Sequence, residues 1–177
     1  MNIHKTTLFG LLVIEPTIYT DSRGYFFESY NKEVFERHGI TTKFVQDNQS
    51  QSKKDVLRGL HYQWGAYAQD KLVSVSNGAV LDVAVDIRPY SPTFGKHESF
   101  LLSAVNKRML LIPSGFAHGF VSLFDNTIFN YKCSNIYHKE SEGGIIWNDP
   151  TLAINWHVEN PLVSEKDSML PKFNEHV

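Results

Sequence analysis

A cation and an imidazole lie close together in the segment Val56–Gln63, where the sequence is most suggestive of chemistry. In a regular strand Arg58 and His61 would point to opposite faces, because successive side chains alternate. Gly59 between them permits a bulge, and the extra residue of a bulge returns both side chains to one face. With Lys71 following soon after, the segment favours a cavity that holds a base and positive charge. The alternative is a surface arginine and a hydrogen-bonded core histidine.

A second stretch contains half of a known metal signature. Pro113, Gly115 and His118 form the Pro-x-Gly-x-x-His pattern of cupin barrels. The other half requires a His-x-His pair followed by a glutamate, and the sequence around His61 has no second histidine. Because a metal site normally needs at least three protein ligands, we predict a cupin-like barrel without a metal. His118 is then either a group near the bound ligand or a core histidine bonded to backbone.

Polar residues at every second position mark one face of a further predicted strand. They are Gln46, Asn48, Ser50 and Ser52. On an antiparallel sheet such a face is usually the solvated outer one. The other interpretation is a polar barrel interior that binds a polar ligand, and the neighbouring Arg58 and His61 favour it.

Short strands with closely spaced turns dominate the rest of the chain, which predicts a sandwich or barrel. Alternation around Val73 and from 83 to 87, with Asn77-Gly78 between them, predicts a hairpin. Asn31 and Gly39 bracket a predicted short helix over 32–38. The stretch 148–177, in which Pro161 and Pro171 disfavour a helix, is interpreted as an extended wrap. Other predicted strands cover 44–50, 99–103, 109–113, 116–123 and 128–134.

Composition limits the class of protein. The chain has 177 residues, 42% of them hydrophobic, which fits a single domain spanning 1–177. A net charge of −2 gives no reason to expect a nucleic-acid or membrane partner. Cys133 is the single cysteine, so no intrachain disulfide can form. The apolar run 8–14 is too short for a membrane helix and lacks a cleavage site, so we expect a strand there and a cytoplasmic protein.

Taken together, these stretches resemble the dTDP-4-dehydrorhamnose 3,5-epimerase family, a branch of the cupin superfamily. The resemblance runs nearly end to end and in order. It implies an all-β fold, a cupin-like jelly-roll β-barrel with short peripheral helices, that forms homodimers and uses no metal or organic cofactor. It also implies an enzyme that epimerises a nucleotide-diphosphate 4-keto-6-deoxy sugar at C3, C5 or both. The similar segments are 21–28, 46–50, 57–63, 71–73, 82–88, 91–95, 113–120, 131–133, 144–150 and 164–167.

The resemblance assigns roles in a reaction that passes through an enolate. His61 is the base, and Asp167 orients it and stabilises the imidazolium. Lys71 lies by the C4 oxygen and stabilises the enolate, with Asp82 as its expected ionic partner. Tyr131 is the acid on the opposite face of the sugar, although a core aromatic is the simpler interpretation of its position.

The same resemblance assigns the residues that bind substrate. Arg58 and Arg23 are expected to bind the diphosphate, since guanidinium groups donate in fixed geometry. In the family, the segment of Arg23 reaches across the dimer into the neighbouring site. The remaining assignments are Phe26 and Glu28 to the base pocket, Gln46 and Asn48 as amide donors, His118 near the sugar, and Tyr137 stacked near the base.

The loop at 64–68 departs from the family because it lacks the usual prolines after the histidine. Its place beside His61 leaves open a GDP-linked 4-keto heptose as substrate, and inversion of only C3 or only C5. Three other classes are weighed: a 3,4-ketoisomerase, a metal-dependent cupin oxygenase, and a non-catalytic sugar-binding module. Asp167 and Tyr131 argue against the first, and the missing ligands argue against the second.

Overall fold

The computed structural model describes residues 1–175, and strands account for most of its regular structure. The helices α1 and α2 are short, as are three 3₁₀ turns at Gly65–Tyr67, Lys139–Ser141 and Phe173–Glu175. The elements in chain order are β1 Asn2–Lys5, β2 Leu12–Glu15, β3 Tyr19–Asp21, β4 Gly24–Phe26, α1 Lys32–Arg37, β5 Gln46–Ser52, β6 Val56–Gln63, β7 Lys71–Asn77, β8 Ala79–Asp86, β9 His97–Ser103, β10 Met109–Ile112, β11 Phe116–Ser122, β12 Thr127–Cys133, β13 Glu142–Gly144, β14 Leu162–Val163 and α2 Glu165–Ser168.

Two sheets face each other and form the walls of the barrel. Sheet I has the strand order β1-β2-β10-β7-β12-β5, and its described pairings are antiparallel. Sheet II has the order β13-β6-β11-β8-β9, with β14 pairing in parallel beside β6. Strands β3 and β4 form a separate hairpin. The predicted all-β, cupin-like jelly-roll barrel with short helices is confirmed.

Apolar side chains from both sheets fill the space between them at one end of the barrel. Val73 and Phe129 of sheet I meet Val80, Leu102 and Phe120 of sheet II, and all five are buried. Phe120 and Phe129 stack with ring centroids 4.1 Å apart. This core holds the sheets in register, so that polar side chains nearer the barrel mouth can face one another across a cavity.

A second apolar cluster lies on the outer face of sheet II. There Val83 and Val121 pack against Ile145, Trp156 and Phe173 from the C-terminal stretch. The predicted wrap therefore covers a sheet face, and it also contains β14 and α2. Residues 176 and 177 of the predicted stretch lie outside the described residues.

Most predicted elements are found within two residues of their expected bounds. Helix α1 begins after Asn31, whose side chain accepts from the Val34 N–H as predicted. The predicted strand over 8–14 is shorter than expected, because residues before Leu12 form a turn in which Leu8 and Leu11 are buried.

The hairpin predicted at Asn77-Gly78 is wrong. Strand β7 lies in sheet I and β8 in sheet II, so the chain turns a corner there instead of pairing back on itself. Gly78 has a φ of +76°, and a Cβ on it would crowd Thr127, including its Cα at 3.1 Å. The corner needs the glycine, as a hairpin turn would. The Asn-Gly dipeptide alone therefore cannot distinguish a corner from a hairpin.

Within residues 1–175, neither helix has the length and apolar character needed to cross a membrane.

Candidate active site

The predicted bulge in β6 is present and creates the site. His61 pairs with His118 of β11, whereas Arg58 pairs with Phe120, so β6 contains one residue more than its partner. Arg58 and His61 consequently line the same cavity. Gly59 has a φ of +125°, and a Cβ on it would lie 2.5 Å from the Cα of Gly119. Only a glycine allows the two strands to approach this closely.

His61 is tied to Asp167 of α2 by a hydrogen bond from Nε2 to Oδ1 of 2.8 Å. The other carboxylate oxygen accepts from the backbone N–H of Gly59 at 3.1 Å. Burial opposes ionisation of Asp167, yet His61, the Gly59 N–H and the Ser164 hydroxyl together hold its pKa below the usual value. An ionised Asp167 requires the proton on Nε2, which leaves the Nδ1 lone pair of His61 for a substrate.

Tyr131 faces His61 from the other wall of the barrel. His61 belongs to β6 of sheet II and Tyr131 to β12 of sheet I. Both line a cavity of about 530 Å³ and an adjoining one of about 160 Å³. Burial raises the pKa of Tyr131, so the phenol keeps its proton until a strong base is next to it. A flat ligand between the sheets would meet a base on one face and an acid on the other.

Lys71 lies at the junction of the two cavities. Burial lowers its pKa, and the neighbouring Cys133, Asp82 and Glu142 partly offset that effect. Among residues 1–175, its ammonium forms no hydrogen bond or salt bridge that would occupy it. A desolvated cation of this kind is suited to an oxyanion that develops in the cavity.

Asp82 forms its ion pair with His118, so the expected pairing with Lys71 is wrong. Both residues of the Asp82–His118 pair are buried, and Nε2 of His118 lies 2.9 Å from Oδ2 of Asp82. Asp82 acts on Lys71 through its charge alone. His118 is therefore bonded to a side chain and not to backbone, and it also lines the cavity with His61.

The polar face of β5 points inward, so the solvated alternative is wrong. Residues 46, 48, 50 and 52 are partly or fully buried, whereas 47, 49 and 51 are exposed. Gln46 and Asn48 line the smaller cavity, and Nε2 of Gln46 donates to Oδ1 of Asn48 at 3.0 Å. Ser50 lines the larger cavity, and its Oγ is buried without a hydrogen-bond partner in the described part of the chain.

Arg58 extends along the cavity wall. Its Nε donates to Oγ of Ser52 at 3.2 Å, and its guanidinium also donates to the Gln51 carbonyl at 3.2 Å. Both bonds are to neutral acceptors, so the positive charge stays available to an anionic ligand.

Arg23, Phe26 and Glu28 do not reach the cavity of their own chain. Arg23 is 88% exposed at the tip of the β3–β4 hairpin and is bonded to Asp21. Phe26 is exposed, and Glu28 accepts from Nδ2 of Asn31 at 2.8 Å. A role for these residues in the site of a second subunit stays a prediction.

Glu142 and Lys166 line the cavities, although no pattern in the sequence assigns them a role. Glu142 of β13 forms a salt bridge of 2.6 Å with Lys166 of α2 and accepts from the Tyr137 hydroxyl at 3.1 Å. Glu142 and Tyr137 line the smaller cavity, and Lys166 lines the larger one. Strand β13 has three residues and no periodic pattern to predict it, whereas Lys166 was detectable as the neighbour of Asp167.

Three residues of the loop after β6 line a cavity other than the two that contain His61. Trp64, Gly65 and Ala68 line a separate cavity of about 480 Å³, together with Phe94 and Phe173 on the outer face of sheet II. The expectation that this loop touches a sugar is therefore not supported by its position.

The cavity brings together an oriented base, a desolvated cation and a protonated phenol on the opposite wall. This set can remove a proton from a carbon beside a carbonyl, hold the enolate, and return a proton to the other face. The barrel and its site thus define an isomerase of the cupin type.

Comparisons with known proteins identify the family. The family model for dTDP-4-dehydrorhamnose 3,5-epimerase matches residues 5–175. The enzyme of that name from Escherichia coli (strain K12) is 52% identical over 177 residues, covering 99% of this chain and 96% of its own. The chain belongs to the dTDP-4-dehydrorhamnose 3,5-epimerase family, and the predicted resemblance is confirmed.

Solved structures agree with this assignment. A dTDP-6-deoxy-D-glucose-3,5-epimerase from Legionella pneumophila Philadelphia 1, in complex with dTDP-4-keto-L-rhamnose, is similar with a TM-score of 0.94 and 51% identity. The match covers 98% of this chain and 93% of that one. A dTDP-4-dehydrorhamnose 3,5-epimerase from Bacillus anthracis, with TDP and PPi bound, gives a TM-score of 0.95 at 46% identity, covering 97% and 99%.

Proposed function

We propose that the protein inverts C3 and C5 of dTDP-4-dehydro-6-deoxyglucose, in the biosynthesis of deoxysugars for surface polysaccharides. The observation that carries this proposal is the placement of His61 and Tyr131 on facing sheets, with Lys71 at the junction of the two cavities. Family membership and the names of relatives about half identical in sequence support the nucleotide and the number of centres. The GDP-heptose alternative loses its basis, because the loop at 64–68 lines a different cavity.

The chemistry needs only side chains of this chain. Nδ1 of His61 takes the proton from the carbon beside the C4 ketone, and the C–H electron pair moves into an enolate. Lys71 stabilises the enolate oxygen, and the Tyr131 hydroxyl delivers a proton to the opposite face of that carbon. Each inversion leaves His61 protonated and Tyr131 ionised, so both exchange protons with solvent before the next centre reacts. No metal or organic cofactor takes part in this scheme.

The cavity mouth supplies the groups for the diphosphate and the sugar. Arg58 lines the larger cavity and offers a positive charge to the phosphates, and Lys166 lines the same cavity while paired with Glu142. Ser50 offers a buried hydroxyl with no partner among residues 1–175. Gln46 and Asn48 provide amides further along the same strand face, His118 lies near the sugar, and Tyr137 lies at the entrance.

A homodimer with shared sites is part of the proposal. The β3–β4 hairpin exposes Tyr19, Tyr25 and Phe26, each by more than half, although large aromatic side chains are usually buried. In a dimer this hairpin would carry Arg23, Phe26 and Glu28 to the nucleotide of the partner's site. We also retain the predicted cytoplasmic location, which fractionation of expressing cells would test.

The proposal is tested by isotope exchange. The protein is incubated in D₂O with dTDP- and GDP-linked 4-keto-6-deoxy hexoses and heptoses, and the products are followed by mass spectrometry and proton NMR. We expect deuterium at C3 and C5 of the dTDP hexose, with both centres inverted. Deuterium at only one carbon would show that the enzyme inverts a single centre. Preference for a GDP heptose would show that the proposed substrate is wrong. Absence of exchange with every compound would leave the binding module as the better explanation.

A pair of histidine variants makes the test specific. His61→Asn should lower the rate by roughly 10²–10⁴-fold while dTDP binding is largely kept, because a general base contributes about that much. His4→Asn is the matched control, since His4 is exposed and pairs with Glu15 on sheet I. A fall in dTDP affinity as large as the fall in rate would count against His61 as the base.

A further inference from the structure

Helix α2 is a single turn that contains Asp167, its one buried residue. Ser164 is its N-cap, and Oγ of Ser164 accepts from the backbone N–H of Asp167 at 3.1 Å. The Ser164 carbonyl accepts from the N–H of Ser168 at 2.9 Å. Because a helix this short has no stability of its own, its geometry depends on the cap and on tertiary contacts.

The backbone N–H of Asp167 and its carboxylate have different main partners. Asp167 occupies the third helical position after Ser164, where an acidic side chain commonly returns to the N–H of the capping residue. Here the carboxylate binds His61 and the Gly59 N–H instead, and the Ser164 hydroxyl adds to the stabilisation of its charge. Ser164 thus fixes the backbone of Asp167, while the bulge in β6 receives its side chain.

We propose that Ser164 is a positioning residue for the reaction, which sets the orientation of His61 through the backbone of Asp167. This inference rests on the proposed function. The strand contact of this segment ends at Val163, and the Lys166 contact runs through an exposed side chain. The Ser164 hydroxyl is therefore the side-chain contact on the backbone N–H of Asp167, and the turn closes on the other side through the Asp167 carbonyl, which accepts from the Leu170 N–H.

A direct contact between Ser164 and substrate is the competing explanation, because Ser164 also lines the larger cavity. The two explanations differ in kinetics. Loss of a substrate contact raises KM, whereas loss of orientation lowers kcat with little change in KM.

The experiment compares three variants with the wild-type enzyme. Ser164→Ala should lower kcat at least about fivefold and keep KM and dTDP affinity within about twofold, given the usual effect of removing a cap. Ser164→Thr should restore most of kcat, since threonine also caps helices. Ser168→Ala is the matched control, because the Ser168 hydroxyl bonds to the Glu165 carbonyl in the same helix and leaves Asp167 untouched.

A readout independent of turnover is the proton resonance of the His61 Nε2–H. It should shift or broaden in Ser164→Ala and stay in place in Ser168→Ala. Unchanged kcat and resonance in Ser164→Ala, or an increase in KM alone, would overturn the inference while the proposed function stands. An inactive wild-type enzyme would overturn the proposed function, and the inference with it.

Discussion

His61 donates its Nε2 proton to Oδ1 of Asp167 across 2.8 Å, although 106 residues separate the two in the sequence. The bond fixes the tautomer that exposes Nδ1, and the nearby Gly59 N–H fixes the carboxylate. A base with this orientation works on one face of a bound sugar, and the acid must come from the other sheet.

Tyr131→Phe should keep hydrogen exchange at the sugar carbon and lose the inversion of that carbon. The variant keeps His61, Asp167 and Lys71, so proton removal and enolate formation continue. Without a donor on the opposite face, His61 returns a solvent-derived proton to the face it came from. In D₂O we expect deuterium in recovered substrate and at least about a 100-fold loss of inverted product. Loss of exchange and inversion to the same extent would show that Tyr131 is also needed for proton removal.

Lys71 is expected to control the alkaline limit of activity. Burial lowers its pKa, so the ammonium loses its proton at a lower pH than an ordinary lysine, and the enolate loses its stabiliser there. The rate should therefore fall on the alkaline side before exposed lysines titrate. Lys71→Met should lower kcat roughly 10²–10³-fold, as removal of an oxyanion donor does.

The control for this prediction is Lys139→Met, in the 3₁₀ turn Lys139–Ser141. It removes a lysine that lines neither of the two cavities with His61. The pH dependence of kcat, measured for both variants and for the wild type, checks the assignment. If the residual activity of Lys71→Met still falls at the same alkaline pH, the group that titrates there is not Lys71.

Local patterns in the sequence predicted the site more reliably than they predicted its surroundings. The bulge at Gly59 follows from backbone chemistry, so the placement of Arg58 and His61 in one cavity could be predicted. The inward face of β5 could not be decided from alternation alone, because the pattern does not say which face is covered.

The wrong predictions, of a hairpin at Asn77-Gly78 and of an Asp82–Lys71 pair, share a physical cause. Both features depend on contacts between residues that are distant in the sequence. Asn77-Gly78 makes a corner because β7 and β8 find partners in different sheets. Asp82 binds His118 because β8 and β11 are adjacent strands. In their register Asp82 lies opposite Phe120, two residues from His118, and a single sequence does not reveal that register. Asp167 was assigned by family resemblance, and its cap by Ser164 became apparent only in three dimensions.

Gly59→Ala should damage both stability and activity. The new Cβ would lie 2.5 Å from Gly119 and 2.8 Å from the His118 carbonyl, at a backbone φ of +125°. Gly39→Ala is the matched control, since its φ is +81° and nothing lies within 4 Å of its Cβ. We expect a loss of about 1 kcal/mol in unfolding free energy for Gly39→Ala and at least about 3 kcal/mol for Gly59→Ala. Similar losses in urea unfolding would show that steric overlap at Gly59 is unimportant.

Asp86 should make stability depend on acid pH. Burial opposes its charge, but Arg88, Ser91 and Thr93 hold its pKa at about 2, below the usual 3.8. A carboxyl with a depressed folded-state pKa contributes stability that is complete above the unfolded value and is lost as the pH falls through the folded value. Asp86→Asn should therefore cost about 2 kcal/mol at pH 7, and the difference should shrink between pH 4 and pH 2.

Urea unfolding of the Asp86 variant and the wild type at several pH values checks this prediction. Asp47→Asn is the control, because its salt bridge with Lys132 is exposed and should contribute no more than about 1 kcal/mol. A stability difference for Asp86→Asn that stays constant down to pH 2 would contradict the assigned titration.

Shared sites in a homodimer can be tested by mixing two inactive variants. If Arg23 of one subunit serves the site that contains His61 of the other, Arg23→Ala and His61→Asn chains complement each other. A heterodimer then has one site with both defects and one intact site, so random exchange should restore about one quarter of wild-type activity. The measurement is activity after co-refolding, with sedimentation to establish the dimer. Mixed chains that dimerise but stay inactive would show that Arg23 acts within its own subunit or not at all.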